Sequence, residues 1–454
     1  MSKPKFFRDP VHLQIRFEDI DLGGLCPSEN PNAALSWSVR KVIDTPAFQR
    51  LRHIRQNGLA NLVFHGAEHS RFSHSMGVLH LARRMYEKLC ANSSRSYEDE
   101  WALQVAVAAL VHDTGHGPFS HAIEDVLKGI DKKFKHETMT LRFIEEPDSS
   151  IHQVLVGVDG SLPGKISAFF DLKRRDNDHF AYKIVSSQMD ADRLDYVQRD
   201  ALFSGIRGHG FDIERLLDLI FVIDGKNIGV HRSAIEALEG YLTSLDQMWR
   251  AVYYHQGNRA ASVMLNALLR RATELHLDGD ISVFPDVRGR KHPLASLLEN
   301  GDQISLEDYL RLTDATVWML MDEWVEHGDF ALSMLAQRIL NRDLLKSIPI
   351  QSGKVKAAME LSKRAEEATK ELFKECENAE RYFYAFDEPS RTSYKSYDWK
   401  ADAPDNSIWL TDGAGNDQPI EDYDESGIIT ALKDARQFDR IFVDGRVRAQ
   451  LVEN

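Results

Sequence analysis

A chain of 454 residues with 43% hydrophobic and 28% charged side chains carries enough apolar content for a large globular core and falls outside the disordered and fibrous composition classes. Its net charge of −14 argues against a protein whose affinity for nucleic acid comes from overall basicity, and no run of about eighteen apolar residues marks a membrane span. The three cysteines, Cys26, Cys90 and Cys376, form no CxxC pair and read as reduced thiols of a cytoplasmic protein, and the opening Met1-Ser2-Lys3-Pro4-Lys5 lacks the apolar stretch of a secretory leader.

In chain order, residues 1–30 read as irregular or short-strand structure rich in Pro, Gly and Asp. Residues 37–56 read as helix broken at Thr45-Pro46, because the residue before a proline avoids the helical region. Met76, Val78, Leu79, Leu81, Met85 and Leu89 give 74–92 an amphipathic helical pattern. The stretch from Trp101 to Val111 is apolar nearly all round and predicts a buried helix, stopped by Gly115, Gly117 and Pro118. Further helices are expected at 136–145, 151–157, 180–198, 212–220, 233–277 and 305–343, with a hairpin around Asp224-Gly225 over 219–231. A charged, Ala-rich segment at 353–380 reads as helical, and strands follow at 408–413 and 440–445. The expected division is a core over 1–348 and a helical and α+β subdomain over 349–454, with no internal repeat and no low-complexity tract.

Chemistry concentrates in three places: Arg71-Phe72-Ser73-His74, the run from His112 to His121, and Asp190 to Asp200. Imidazole and carboxylate suit borderline divalent metals, and such an ion acidifies water near neutral pH and offsets charge on a phosphoryl oxygen. His74, His112, Asp113 and Asp192 are the candidate ligands, all within 40–205. Neighbours on a helix diverge by about 100°, so His112 and Asp113 can share one ion only at a helix end, where the glycines place them. A lone histidine on an apolar helix is more often a satisfied core residue. Here His74, His112, His116, His121 and His136 all fall in polar, turn-adjacent settings, where burial without a metal or partners is costly. The donor set fits Fe, Mn, Zn, Co or Ni, with Mg able to join through a phosphate.

These motifs, together with Asp44-Thr45-Pro46-Ala47-Phe48-Gln49-Arg50-Leu51-Arg52, resemble the HD-domain deoxynucleoside triphosphate triphosphohydrolases, from about Lys5 to Ile348 and most strongly over 40–205. The resemblance implies a mostly α fold: a helical HD core with minor β elements and a small C-terminal α+β part. It implies metal ligation by His74, His112, Asp113 and Asp192, and catalysis by that site with four further residues. His116 would steady developing charge or the attacking water, His121 would donate a proton at the leaving oxygen, and His136 and Glu137 would support the phosphate side. Arg71 and Arg193 would hold phosphate oxygens, the family usually having lysine at the second position. Gln56, Tyr196 and Asp200 would contact the sugar, Asp200 at its 3′-hydroxyl, and Tyr253 would lie beneath it. The bland readings are surface or structural ion pairs for the arginines, core positions for the tyrosines, and a supporting role for His121.

The resemblance also implies a guanine-nucleotide or dNTP effector near Lys5, Asp44, Gln49, Arg52 and Phe64, and a homo-oligomer (dimer, tetramer or hexamer), since effector sites in the family lie between subunits. A structural ion-pair cluster is the alternative reading of those five residues. Two departures bear on the substrate. Asn57 stands where an apolar residue flanks the sugar's 2′ carbon, and Leu245 stands where an arginine commonly touches the polyphosphate; Glu124 replaces an aspartate after the HD loop, a milder change. The expected function is therefore hydrolysis of a dNTP at the α-phosphate to deoxynucleoside and inorganic triphosphate. The alternatives are an HD phosphohydrolase for nucleoside mono- or diphosphates or single-stranded nucleic-acid ends, and a non-enzymatic sensor; retention of all four ligands speaks against the last. Basic stretches such as Lys173-Arg174-Arg175 and Arg270-Arg271 are short, so nucleic acid is not the favoured partner.

Overall fold

The computed structural model describes residues 5–17, 31–119, 121–130, 132–175, 178–207, 210–350, 355–388, 390–391, 407–423, 425–432 and 436–452. The fold is 60% helix and 9% strand, the mostly α architecture expected. It opens with an antiparallel hairpin, β1 (Lys5–Asp9) and β2 (Leu13–Phe17). Helices α1 (Pro31–Ile43) and α2 (Pro46–Arg50) follow, and Thr45 caps α2 by accepting from the Phe48 amide, so the break expected at Thr45-Pro46 is a helix start.

The centre is formed by α3 (Arg71–Asn92) packed on α4 (Asp99–Val111) and on α10 (Ala191–Ser204). Nearly every α4 side chain from Ala102 to Val111 is buried, as its lack of a polar face requires. Between them come α5 (His121–Gly129), α6 (His136–Glu145), α7 (Ser150–Val156), α8 (Leu162–Ser167) and α9 (Ala181–Val185). The single helix expected over 180–198 is thus two, because Asp190 turns back to accept from the amides of Ser187 and Arg193 and begins α10 afresh.

After α11 (Ile213–Asp218) the hairpin β3 (Ile220–Ile223) and β4 (Asn227–His231) turns through Asp224 and Gly225, both in the left-handed region at φ 51° and 75°. The long helix expected over 233–277 divides into α12 (Ile235–Met248), a π-helical turn (Trp249–Tyr253) and α13 (Gln256–Leu277). The segment 305–343 divides likewise into α15 (Leu306–Leu310), α16 (Asp314–Trp324) and α17 (Phe330–Leu340), after α14 (Pro293–Asn300).

The C-terminal part holds β5 (Lys346–Pro349), α18 (Val355–Leu372), α19 (Glu380–Phe383), β6 (Ala385–Asp387), β7 (Ser390–Arg391), β8 (Trp409–Thr411), β9 (Gln418–Pro419), α20 (Gly427–Leu432), β10 (Arg436–Gln437), β11 (Arg440–Val443) and α21 (Gly445–Val452). Its two expected strands go to different sheets. β11 lies between β5 and β6, whereas β8 runs parallel to β4 of the core and pairs with β9. The division drawn at 348 falls within β5. No helix among the described residues is long and apolar enough to cross a membrane.

Candidate metal centre and cavity

Three helix ends meet at one point. The N-terminus of α3 presents Arg71 and His74, one turn apart on the same face. His112 closes α4, which lets Asp113 leave the helical path and turn toward the same space. Asp190 caps α10 and sets Asp192 in its first turn. One ligand atom each from His74, His112 and Asp192 lie within 4.8 Å of one another. His74 Nε2 is 2.9 Å and His112 Nε2 3.9 Å from Asp192 Oδ1. Asp113 completes the ring, with Oδ1 3.3 Å from His112 Nε2 and Oδ2 3.9 Å from His74 Nε2.

The tautomers follow from the partners behind each ring. A carbonyl oxygen only accepts, so His112 donates from Nδ1 to Ala109 (2.8 Å) and keeps a lone pair on Nε2. His74 donates from Nδ1 to Asp195 Oδ2 (2.8 Å), with the same result. Both Nε2 atoms are buried, face the two carboxylates, and have no hydrogen-bond partner among the described residues. The His74–Asp192 approach is short, yet it is not directed as a hydrogen bond. Two lone pairs and two carboxylates facing one space fit a divalent cation, and imidazoles oriented from behind by a carboxylate or carbonyl are the usual arrangement around one. Without an ion, burial disfavours the charged His74, but Asp192 and Asp195 outweigh it and push its pKa up to about 10. A cation and a proton therefore compete for the same position. Burial also opposes ionisation of Asp113; Arg71, donating to Oδ2 at 2.6 Å, overcomes it and with the imidazoles holds Asp113 well below the usual carboxylate range.

Beside this cluster the HD loop is fastened to α6. A Cβ on Gly115 would lie 2.0 Å from the His136 carbonyl oxygen, so only glycine permits the approach. The Gly115 amide donates to Thr140 Oγ1 (3.0 Å), which donates to the His112 carbonyl (3.1 Å). His116 stacks on His136 with ring centroids 3.9 Å apart, and its Nε2 is 3.3 Å from Asp113 Oδ1. Burial, then the Arg71 charge, keeps His116 well below the ordinary histidine pKa, so its ring is neutral at pH 7. His136 Nδ1 lies 2.6 Å from Glu124 Oε1 and 3.6 Å from Glu137 Oε2. Glu124, on α5, thus stands closer to this imidazole than Glu137, which is largely exposed. Ser120 and the His121 side chain lie outside the described residues.

A cavity of about 500 Å³ opens from the cluster. Gln56, Asn57, Arg71, Asp192, Arg193, Tyr196, Asp200 and Tyr253 all line it, which brings together every substrate-side residue singled out in the sequence. Asp200 accepts from His69 Nε2 (2.7 Å) and from the Tyr253 hydroxyl (2.5 Å). Burial, then the neighbouring Asp200, pushes the Tyr253 phenol well above its ordinary value, so it stays a donor. Arg193 donates from Nε to the Ser187 carbonyl (2.9 Å). Gln56 Oε1, Asn57 Nδ2 and Asn266 Oδ1 are buried without partners among the described residues, and all three residues border the cavity. Sequence reasoning missed Trp249, Asp125 and Asn266 on this wall. Trp249 sits in the π-helical turn, which swings both it and Tyr253 toward the cavity; π turns recur at functional sites. Leu245 is 1% exposed within the core, and Arg250 is directed to Asp246 (3.0 Å) rather than to the cavity.

Of the five effector-like positions, Gln49 and Arg52 are joined: Arg52 Nε donates to Gln49 Oε1 (2.8 Å), and its guanidinium covers the Phe72 ring at 3.5 Å. Asp44 is exposed at the turn between α1 and α2. Phe64 packs edge-on to His255, and the Lys5 side chain lies outside the described residues.

Residues 71–152 match the family described as HD domain. The chain is 34% identical to the uncharacterized protein YwfO of Bacillus subtilis over 398 residues, 87% of this chain and 82% of that one. It is 28% identical to the human deoxynucleoside triphosphate triphosphohydrolase SAMHD1 over 60% of this chain and 46% of that protein, and so spans about half of the animal enzyme. A crystal structure of a phosphohydrolase from Bacteroides thetaiotaomicron superposes with a TM-score of 0.75 at 25% identity, covering 97% of this chain and 99% of that one. A relative matched along most of both chains, a phosphohydrolase of the same fold, and a cluster of histidines and aspartates beside a cavity, with His74, His112 and Asp113 inside the matched segment, agree: this chain belongs to the HD-domain phosphohydrolases, the superfamily of the deoxynucleoside triphosphate triphosphohydrolases.

Proposed function

We propose that this phosphohydrolase cleaves deoxynucleoside triphosphates between the α-phosphorus and the 5′-oxygen, taking up one water and releasing deoxynucleoside and inorganic triphosphate. The observation that carries the reading is the continuity of the cavity, which reaches from Arg71 and Asp192 at the cluster to the Asp200–Tyr253 pair. An ionised carboxylate held by two donors still has lone pairs for a sugar hydroxyl. The SAMHD1 enzymes, similar at 28% identity, carry this activity in their name.

A divalent ion held by His74, His112, Asp113 and Asp192 would acidify water and offset charge on the α-phosphoryl oxygens. The chain's own groups do the rest. Neutral His116 accepts or returns a proton beside Asp113, and its stack on His136 fixes the ring plane. Arg71 and Arg193 hold phosphate oxygens, and Glu124 orients His136. By the family resemblance, His121 protonates the departing 5′-oxygen. The same resemblance assigns a GTP or dNTP effector to the Asp44, Gln49 and Arg52 region and assembly into oligomers; a rate unchanged by GTP and mixed dNTPs removes the effector.

Leu245 favours a second reading. With that side chain in the core, α12 offers the cavity no cation for a polyphosphate tail, so nucleoside mono- or diphosphates or single-stranded ends become the substrates. Product analysis decides. Incubation with each dNTP and NTP yields nucleoside and intact triphosphate on the first reading; no turnover of any triphosphate, even with mixed nucleotides and Mn²⁺, transfers the weight to the second.

The unpartnered Asn57 amide makes a prediction about the sugar. It offers a buried donor to a 2′-hydroxyl, and one such hydrogen bond is worth about 1 kcal/mol. Asn57→Leu is expected to raise the dNTP/NTP ratio of kcat/KM by roughly three- to tenfold. An unchanged ratio means the amide does not face the 2′ position.

A further inference from the structure

Asp195, one turn beyond Asp192 on α10, is fully buried and saturated with donors. Its Oδ2 accepts from His74 Nδ1 (2.8 Å) and Arg199 Nε (2.7 Å), and its Oδ1 accepts from Arg199 Nη2 (2.9 Å) and His12 Nε2 (2.6 Å). Four donors on two oxygens fix the carboxylate in its plane and in rotation. His12 comes from the turn of the β1–β2 hairpin, more than 180 residues away in sequence. That turn is built to hold it. Asp9 Oδ1 accepts from the amides of Val11 (2.8 Å) and His12 (2.9 Å), an Asx turn, while Asp9 Oδ2 accepts from Arg199 Nη1 (2.9 Å). The next residue, Leu13, lies in the left-handed region at φ 59°, a conformation that a bulky side chain rarely adopts. The hairpin side chains His12 and Asp9 are thus both committed to the Asp195–Arg199 pair.

We infer that the β1–β2 hairpin is a positioning element for the metal centre: His12 and Asp9 fix Asp195, Asp195 fixes the tautomer and ring plane of His74, and docking of the hairpin is linked to binding of the divalent ion. His12 touches neither the ion nor the substrate; it acts through Asp195. The inference rests on the reading that His74, His112, Asp113 and Asp192 hold a divalent ion. Linkage is reciprocal, so whatever the docked hairpin adds to metal affinity, the metal adds to hairpin docking. Groups placed behind a ligand imidazole typically account for about 10- to 100-fold in metal affinity.

The test uses the full chain and Mn²⁺ alone. Mn²⁺ affinity is measured by chelator competition for the wild type, His12→Ala, His12→Gln and Asp9→Asn, with the melting temperature of each metal-free protein. Backbone hydrogen exchange over 11–17 is followed with and without Mn²⁺. The expected result is affinity weakened about 10- to 100-fold in His12→Ala, substantial rescue in His12→Gln, which keeps a donor toward Asp195, and slower hairpin exchange when Mn²⁺ is bound. If the variants melt lower but the folded protein binds Mn²⁺ as tightly as the wild type, or if exchange ignores the metal, the hairpin is only structural and the inference falls. If the wild type itself binds no divalent metal, the metal-centre reading falls, and this inference with it.

Discussion

Replacing His112 with alanine should strip the purified protein of its divalent ion and lower phosphohydrolase turnover by at least about 10³-fold. His112 is one of the three residues whose donor atoms gather within 4.8 Å, with Nε2 facing Asp113 and Asp192, and its other nitrogen is tied to the Ala109 carbonyl, which fixes the ring. The loss exceeds one ligand. With the ion gone, Asp113 and Asp192 face one space, balanced by Arg71, Arg193 and a protonated His74. A metal's stabilisation of charge on a phosphoryl oxygen is worth several kcal/mol, and each 1.4 kcal/mol is tenfold in rate. The fold should survive, because the His112 side chain lies at the cavity edge, 12% exposed, rather than in the apolar core. Metal content by elemental analysis and turnover of the substrate found by product analysis are the measurements. A protein that keeps stoichiometric metal and turnover within tenfold of the wild type would place the ion elsewhere. Chelation should reproduce the loss in the wild type, and added Mn²⁺ should reverse it; the alanine variant should not recover.

Much of this site was legible in the sequence because its chemistry sits in short local runs. Arg71 and His74 share a helix face by their spacing, and the glycines after Asp113 announce the helix end that lets His112 and Asp113 converge. What stayed hidden depends on contacts between distant segments. Nothing in its neighbours in sequence marks Asp195, which is fully buried because His12, His74 and Arg199 surround it. The resemblance implies that Glu137 supports the phosphate side together with His136. Neighbours on a helix diverge by about 100°, so Glu137 turns to solvent and Glu124 of α5 reaches the ring instead. The apolar period through 233–277 conceals the π turn that delivers Trp249 to the cavity, since a one-residue insertion leaves the composition unchanged. The breaks within 305–343 do have local signals: Ser305, Thr313 and Asp329 stand at N-cap positions, as such residues prefer, though the apolar periodicity runs on across them. The strands at 409–411 and 440–443 were visible as strands, but nothing local says which sheet edge each one joins.

Gly77 joins these two levels, and its replacement by alanine is expected to be the most destabilising single-methyl change in the centre. Glycine in mid-helix costs about 1 kcal/mol relative to alanine, so a glycine inside α3 needs a reason. A Cβ there would lie 1.9 Å from Asp195 Oδ1, 2.4 Å from Arg199 Nη2 and 2.7 Å from Asp195 Cγ. Neither partner can yield, because both are buried and paired with each other, Asp195 is held further by His12 and His74, and Arg199 is held further by Asp9. The methyl group must therefore push α3 away from α10 or break a buried ion pair. The second outcome costs about 3–5 kcal/mol, and the first moves His74 away from Asp192. Gly77→Ala should accordingly lose several degrees of thermal stability and bind Mn²⁺ far more weakly. Gly164→Ala supplies the control: that glycine is inside α8 with nothing within 4 Å of the added carbon, so alanine should be neutral or stabilise by up to about 1 kcal/mol. If Gly77→Ala melts with the wild type and keeps its metal, close packing of α3 on α10 is not what holds His74 in place, and the ligand geometry must be set from the His112 side of the cluster.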